Sequence, residues 1–113
     1  MSYYEQAMNW FLLSQKDAIF FVFCDDLKWA IENLRYDKAP VCFVGGEHNP
    51  DWLDMYLMSI CKHNIIANST FSWWSAWLNN NPDQLVVAPS KWFHQERKDI
   101  NLDDLCLPTW CRV

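Results

Sequence analysis

Apolar positions along the chain alternate between two spacings. Tyr4, Ala7, Met8, Phe11 and Leu12 recur at helical intervals, and Ala18 to Cys24 then forms an unbroken apolar run of strand length. Asp26 can cap a second helix carrying Leu27, Trp29, Ala30 and Leu34, and Pro40 precedes the short run Val41 to Val44. Gly45 and Gly46 break that run, and Asn49-Pro50 opens a third helix with Trp52, Leu53, Met55, Tyr56, Met58 and Ser59. His63 to Ala67 reads as a third strand. Asn68, Ser69 and Thr70 lead into the helix Phe71 to Leu78, which ends at Asn79-Asn80-Asn81-Pro82; Gln84 to Ala88 is a fourth strand stopped by Pro89.

Strands with no polar face, each joined to the next by a helix, call for a mainly parallel sheet covered on both sides. The expected fold is therefore α/β: a Rossmann-like open parallel sheet with flanking helices, half of a doubly wound architecture. The segment from Ser90 to Val113 is less regular, with Pro108 and Trp110 suggesting a loop that packs back on the body. No internal repeat or second domain is visible.

Composition narrows the function classes. With 113 residues, 51% of them apolar, the chain can fill one core, and disorder is not expected. A net charge of −5 with 20% charged residues offers no basic surface for a nucleic-acid backbone, so no nucleic-acid partner is expected and a bound phosphate would need local donors. The five cysteines have no Cys-x-x-Cys pair and read as reduced, mostly buried thiols. Cys61 and His63 are poorly spaced as a chelate, and His48 and His94 fall in dissimilar loops, so no metal site is expected. Residues 1–6 do not read as a secretory signal and no apolar run is long enough to span a bilayer. A cytoplasmic protein is the expectation, with peripheral attachment to the inner face of a membrane left open.

Ligands of open parallel sheets bind at the carboxyl ends of the strands. The loops there hold Asp25 and Asp26; Gly45, Gly46, Glu47 and His48; Asn68, Ser69, Thr70 and Ser72; and Ser90 and Lys91. A hydroxyl-rich turn opening a helix presents backbone donors and hydroxyls to an anion and could cradle a diphosphate, although a helix cap alone explains one of its hydroxyls. Asp25 and Asp26 could cap a helix, bind a divalent metal or accept from a sugar. Asp54 could simply favour the helix dipole, or accept two parallel donors such as the ring N–H and exocyclic amine of guanine. Trp73 and Trp77 share a helical face and Trp74 is rotated away, so two of the three are expected in the core. Lys91 and His94 could reach a phosphate or remain solvated.

The run from Cys61 to Leu78, with its Asn-Ser-Thr-Phe-Ser-Trp-Trp-Ser-Ala-Trp centre, closely resembles the signature of glycosyltransferase family 11, the α-1,2-fucosyltransferases. Phe21 to Asp26 followed by Trp29, Asp54 to Ser59, Val87 to Pro89 with Lys91 to Phe93, and Leu107 to Trp110 also resemble that family's segments in order. The resemblance covers nearly the whole chain. It implies two Rossmann-like domains, of which residues 1–113 would be a partial C-terminal, GDP-fucose-binding one. It also implies inverting, metal-independent transfer of fucose from GDP-fucose to the 2-hydroxyl of a terminal galactose, with no cofactor. Asn68, Ser69, Thr70 and Ser72 match the family's diphosphate motif, Asp25 and Asp26 its acidic motif, and Asp54 is placed as a guanine partner.

Cys24 stands where the family usually has serine, and Ser75 where it usually has glycine. The family's histidine-x-arginine-arginine-x-aspartate motif does not occur in the chain. Its arginine would neutralise the leaving diphosphate through charge-assisted contacts, and the galactose-terminated acceptor would be held by the missing N-terminal domain. The resemblance thus implies a partial form that is poor or inactive as a transferase alone. Two other readings stay open: a non-catalytic nucleotide-sugar-binding or interaction module, and a metal-dependent transferase using Asp25 and Asp26. No catalytic base is identifiable.

Overall fold

The computed structural model describes residues 2–46, 49–91 and 105–113. Its elements run α1 (Tyr3–Leu12), β1 (Phe20–Cys24), α2 (Leu27–Asn33), β2 (Val41–Gly45), α3 (Asp51–Ser59), β3 (Asn64–Ile65), α4 (Thr70–Trp77), β4 (Val86–Ala88) and β5 (Cys111–Arg112). The fold is α/β, with short parallel strands in open sheets flanked by helices, as a partial Rossmann-like domain would have. The strands fall into two sheets, β1-β2 and β3-β4-β5, and the chain divides into two compact units, Met1–Tyr56 and Leu57–Val113.

In the first unit, a capping box starts α1: Ser2 Oγ accepts from the Glu5 N–H at 3.2 Å and Glu5 Oε2 accepts from the Ser2 N–H at 2.7 Å. These hydrogen bonds hold the Glu5 carboxyl below its usual range. The helix buries Ala7, Met8 and Phe11, three members of the apolar stripe. β1 and β2 pair in parallel from Phe20 opposite Val41 to Cys24 opposite Gly45, and α2 packs against β2. The expectation of two buried faces is corrected here. Phe21 and its register partner Cys42 are both exposed, so the apolar run supplies side chains for two faces of which one stands open within this unit. Trp29 on α2 and Trp52 and Tyr56 on α3 are exposed as well. The buried residue of α3 is a carboxylate, Asp54.

The second unit is packed more completely. β4 lies between β3 and β5, parallel to both, and Val86, Val87 and Ala88 are all buried. Ile66, Ala76, Val86, Ala88, Cys106 and Trp110 form its core, with Trp73 and Leu105 packed against it. The loop expected over the last residues ends instead in β5, tied in by Val113 N–H to Ala88 O at 3.0 Å and Ser90 N–H to Val113 O at 2.8 Å. Trp110 does pack back on the body. Of the three tryptophans on α4, one rather than two reaches the core. Trp77 stacks on Trp73 at 5.6 Å between ring centroids but stays half-exposed, as does Trp74.

At the amino ends of these strands, side-chain amides bind the turns together. Asn79 Nδ2 donates to Cys61 O and to Asn64 Oδ1, Gln84 Nε2 donates to Asn64 Oδ1 and Ala76 O, and Asn64 Nδ2 donates to Met58 O at 2.8 Å. His63 Nδ1 accepts from the Leu85 N–H at 2.9 Å; burial and the neighbouring Lys62 charge keep this imidazole below its ordinary pKa, in the neutral form that can accept. The five cysteines are reduced thiols, but only Cys106 is buried and Cys42 is exposed, which corrects the expectation of mostly buried thiols.

Candidate functional site

The polar groups at the carboxyl ends of the strands gather in two places, one in each unit. In the first unit, Asp25 and Asp26 follow β1 and are exposed. Asp26 is the N-cap of α2, its Oδ1 accepting from the Trp29 N–H at 2.9 Å, which is the capping role that sequence left open.

Asp54 is only 8% exposed. Asn49 Nδ2 donates to its Oδ1 at 3.1 Å. Its Oδ2 reaches the end of β2, where Gly45 has φ +118° and a Cβ would sit 3.1 Å from that oxygen and 2.6 Å from Cys24 O. Only glycine fits there, both by backbone angle and by space. Burial pushes the Cys24 thiol up, reinforced by the charges of Asp25, Asp26 and Asp54, so it stays protonated at neutral pH. This rim of the first unit is therefore rich in acceptors and suited to a ligand edge that donates.

The second unit carries the hydroxyl loop between β3 and α4. Ser69 is the N-cap of α4, accepting from the Ser72 N–H at 3.2 Å. Ser72 is buried, and its hydroxyl is taken up by the loop: it accepts from the Ala67 N–H at 3.1 Å, lies 2.8 Å from Ser69 Oγ, and has Ala67 O and Ser69 O within donating distance. Its job is to shape the turn. Asn68, Ser69 and Thr70 are exposed on that turn. Ser75, buried one helical turn on, donates to Phe71 O at 2.9 Å.

Lys91 is exposed just after β4. Glu47, His48, Trp92, Phe93 and His94 lie outside the described residues. Among the described residues no three His, Cys, Asp or Glu side chains group as a metal site would require, and no helix is long and apolar enough to cross a membrane. Asn49 was missed in the sequence, where it reads only as the opening of a helix; Gly45 was placed in a ligand-side loop, but without the role of leaving room for the Asp54 carboxylate.

This α/β arrangement, with polar loops at the carboxyl ends of parallel strands, is that of a partial Rossmann-like domain. The chain belongs to glycosyl transferase family 11, whose family model matches residues 1–113. It is 46% identical over 115 residues to the O-antigen biosynthesis glycosyltransferase WbnK of Escherichia coli, covering 100% of this chain and 36% of that protein. It is 39% identical over 114 residues to an alpha-1,2-colitosyltransferase of Escherichia coli, covering 98% of this chain and 38% of that protein. Over 78 residues, 68% of this chain, it is 37% identical to galactoside alpha-(1,2)-fucosyltransferase 1 of Mus musculus, 21% of which is covered. The chain thus spans little more than a third of the length of the two bacterial relatives. No solved structure matches it.

Proposed function

We propose that this chain is the donor-binding portion of an inverting, metal-independent galactoside α-1,2-fucosyltransferase that takes GDP-fucose and delivers fucose to the 2-hydroxyl of a terminal galactose. Family membership over the full 113 residues supports a glycosyltransferase, and the galactoside relatives support the linkage and acceptor. The observation that carries the donor assignment is the Asp54 carboxylate, buried at the rim with one oxygen bonded to Asn49 and the other beside Gly45. A carboxylate in that state is an acceptor for the ring N–H and exocyclic amine of guanine. Asp25 and the second oxygen of Asp26 are acceptors for sugar hydroxyls. Asn68, Ser69 and Thr70 are the donors put forward for the phosphates, with Ser72 shaping the turn that carries them.

In such a transfer the acceptor's 2-hydroxyl attacks the anomeric carbon while the bond to GDP breaks, and groups that stabilise the departing diphosphate lower the barrier. With no arginine motif in the chain, we expect GDP binding without useful turnover. A cytoplasmic location, peripheral to a membrane's inner face, belongs to the same proposal.

Calorimetry of the chain with GDP and GDP-fucose, beside a transfer assay on lactose, tests this reading. The expected result is binding of both nucleotides, weakened at least tenfold by Asp54→Ala, with negligible transfer. An Asp54→Ala variant that binds GDP as tightly as the parent removes Asp54 from the site. The colitosyltransferase relative favours a second reading in which colitose is the sugar carried, and it is supported if the chain prefers a colitosyl over a fucosyl donor in competition.

A further inference from the structure

A carboxylate withdrawn from water needs its acceptor sites filled, because an unmet buried polar group costs about 1–3 kcal/mol. Asn49 Nδ2 meets that need at Oδ1 of Asp54, which is 8% exposed, and Oδ2 is the oxygen turned to the end of β2 beside Gly45.

We infer that Asn49 is a positioning residue for the donor nucleotide: it fixes the Asp54 carboxylate so that Oδ2 is presented to the N–H edge of the base, and Gly45 supplies the clearance. This rests on the donor-site reading above. Three features of the segment support it. Asn49 lies two residues ahead of α3, and its amide nitrogen, a donor, faces the Asp54 carboxylate.

Pro50 disfavours a helical backbone at Asn49, which narrows the freedom of this arm. Pro50 O accepts from both the Leu53 N–H at 3.0 Å and the Asp54 N–H at 3.4 Å, which closes the turn bearing the carboxylate. With Oδ1 tethered, Oδ2 is held against Gly45, 3.1 Å from where a Cβ would lie. A base edge that donates is matched by this arrangement, and one that accepts is repelled.

The test is a double-mutant cycle on the full chain, reading GDP affinity by calorimetry and fold by thermal unfolding, with ADP, whose adenine lacks the paired ring N–H and exocyclic amine of guanine, as the comparison. Asn49→Ala is expected to weaken GDP about tenfold or more, the scale of a lost hydrogen bond to a charged group. Asn49→Asp keeps the size but cannot donate at neutral pH, and is expected to weaken GDP further while leaving ADP unchanged. The double variant Asn49→Ala/Asp54→Ala should bind no more weakly than Asp54→Ala alone, because Asn49 acts through Asp54.

Additive losses, or GDP affinity unchanged in both Asn49 variants, overturn the inference and leave the donor-site reading standing. A parent chain that binds no GDP overturns both.

Discussion

β1 and β4 are both apolar parallel strands, yet they live in different surroundings. β4 is flanked on both edges and buried along its length, over a core that Trp110 and Cys106 complete from the end of the chain. Among the described residues β1 pairs with one neighbour, β2, and its Phe21 is 51% exposed. Apolar content alone does not decide burial; the number of elements available to cover a strand does. The second unit is thus held by packing, whereas the first keeps an open apolar face and a rim of carboxylates held by a few specific contacts.

Substitutions can break or sharpen this contrast. Trp110→Ala should cost about 3–5 kcal/mol, the range for deleting a large buried aromatic, read as a lowered urea midpoint. Gly45→Ala should cost at least about 2 kcal/mol, because the added methyl meets Cys24 O at 2.6 Å on a left-handed backbone, and it should also displace the Asp54 carboxylate and weaken GDP. Phe21→Ser should cost about 1 kcal/mol or less, since half of that ring is already in water. A Phe21→Ser loss as large as that of Trp110→Ala would erase the distinction between the two units.

Much of the scaffold was legible from periodicity. The stripe Ala7, Met8, Phe11 declared α1, and the runs around Phe20–Cys24 and Val41–Gly45 declared two parallel strands. β5 was not legible, because two residues, Cys111 and Arg112, carry no period; only pairing with β4 makes them a strand. The hydroxyl loop was recognised, but its division of labour depends on helix phase. Ser72 points inward to hold the turn while Asn68, Ser69 and Thr70 stay outside.

Asp54 shows the opposite limit. A carboxylate in the first turn of a helix ordinarily sits in solvent favouring the dipole, and nothing local announces that this one is buried. Its Oδ2 lies in the space that Gly45, nine positions earlier, leaves by lacking a side chain.

The central claim is that the chain carries a guanine-nucleotide donor site. The most direct measurement is a GDP titration of the isotopically labelled chain, followed by amide chemical shifts. The account predicts saturable shifts at Gly45, Asn49 and Asp54 and at Ser69 to Ser72, those at Gly45, Asn49 and Asp54 not reproduced by ADP at the same concentration. Absence of shifts at Gly45, Asn49 and Asp54, or equal shifts at those three residues with ADP, would contradict it.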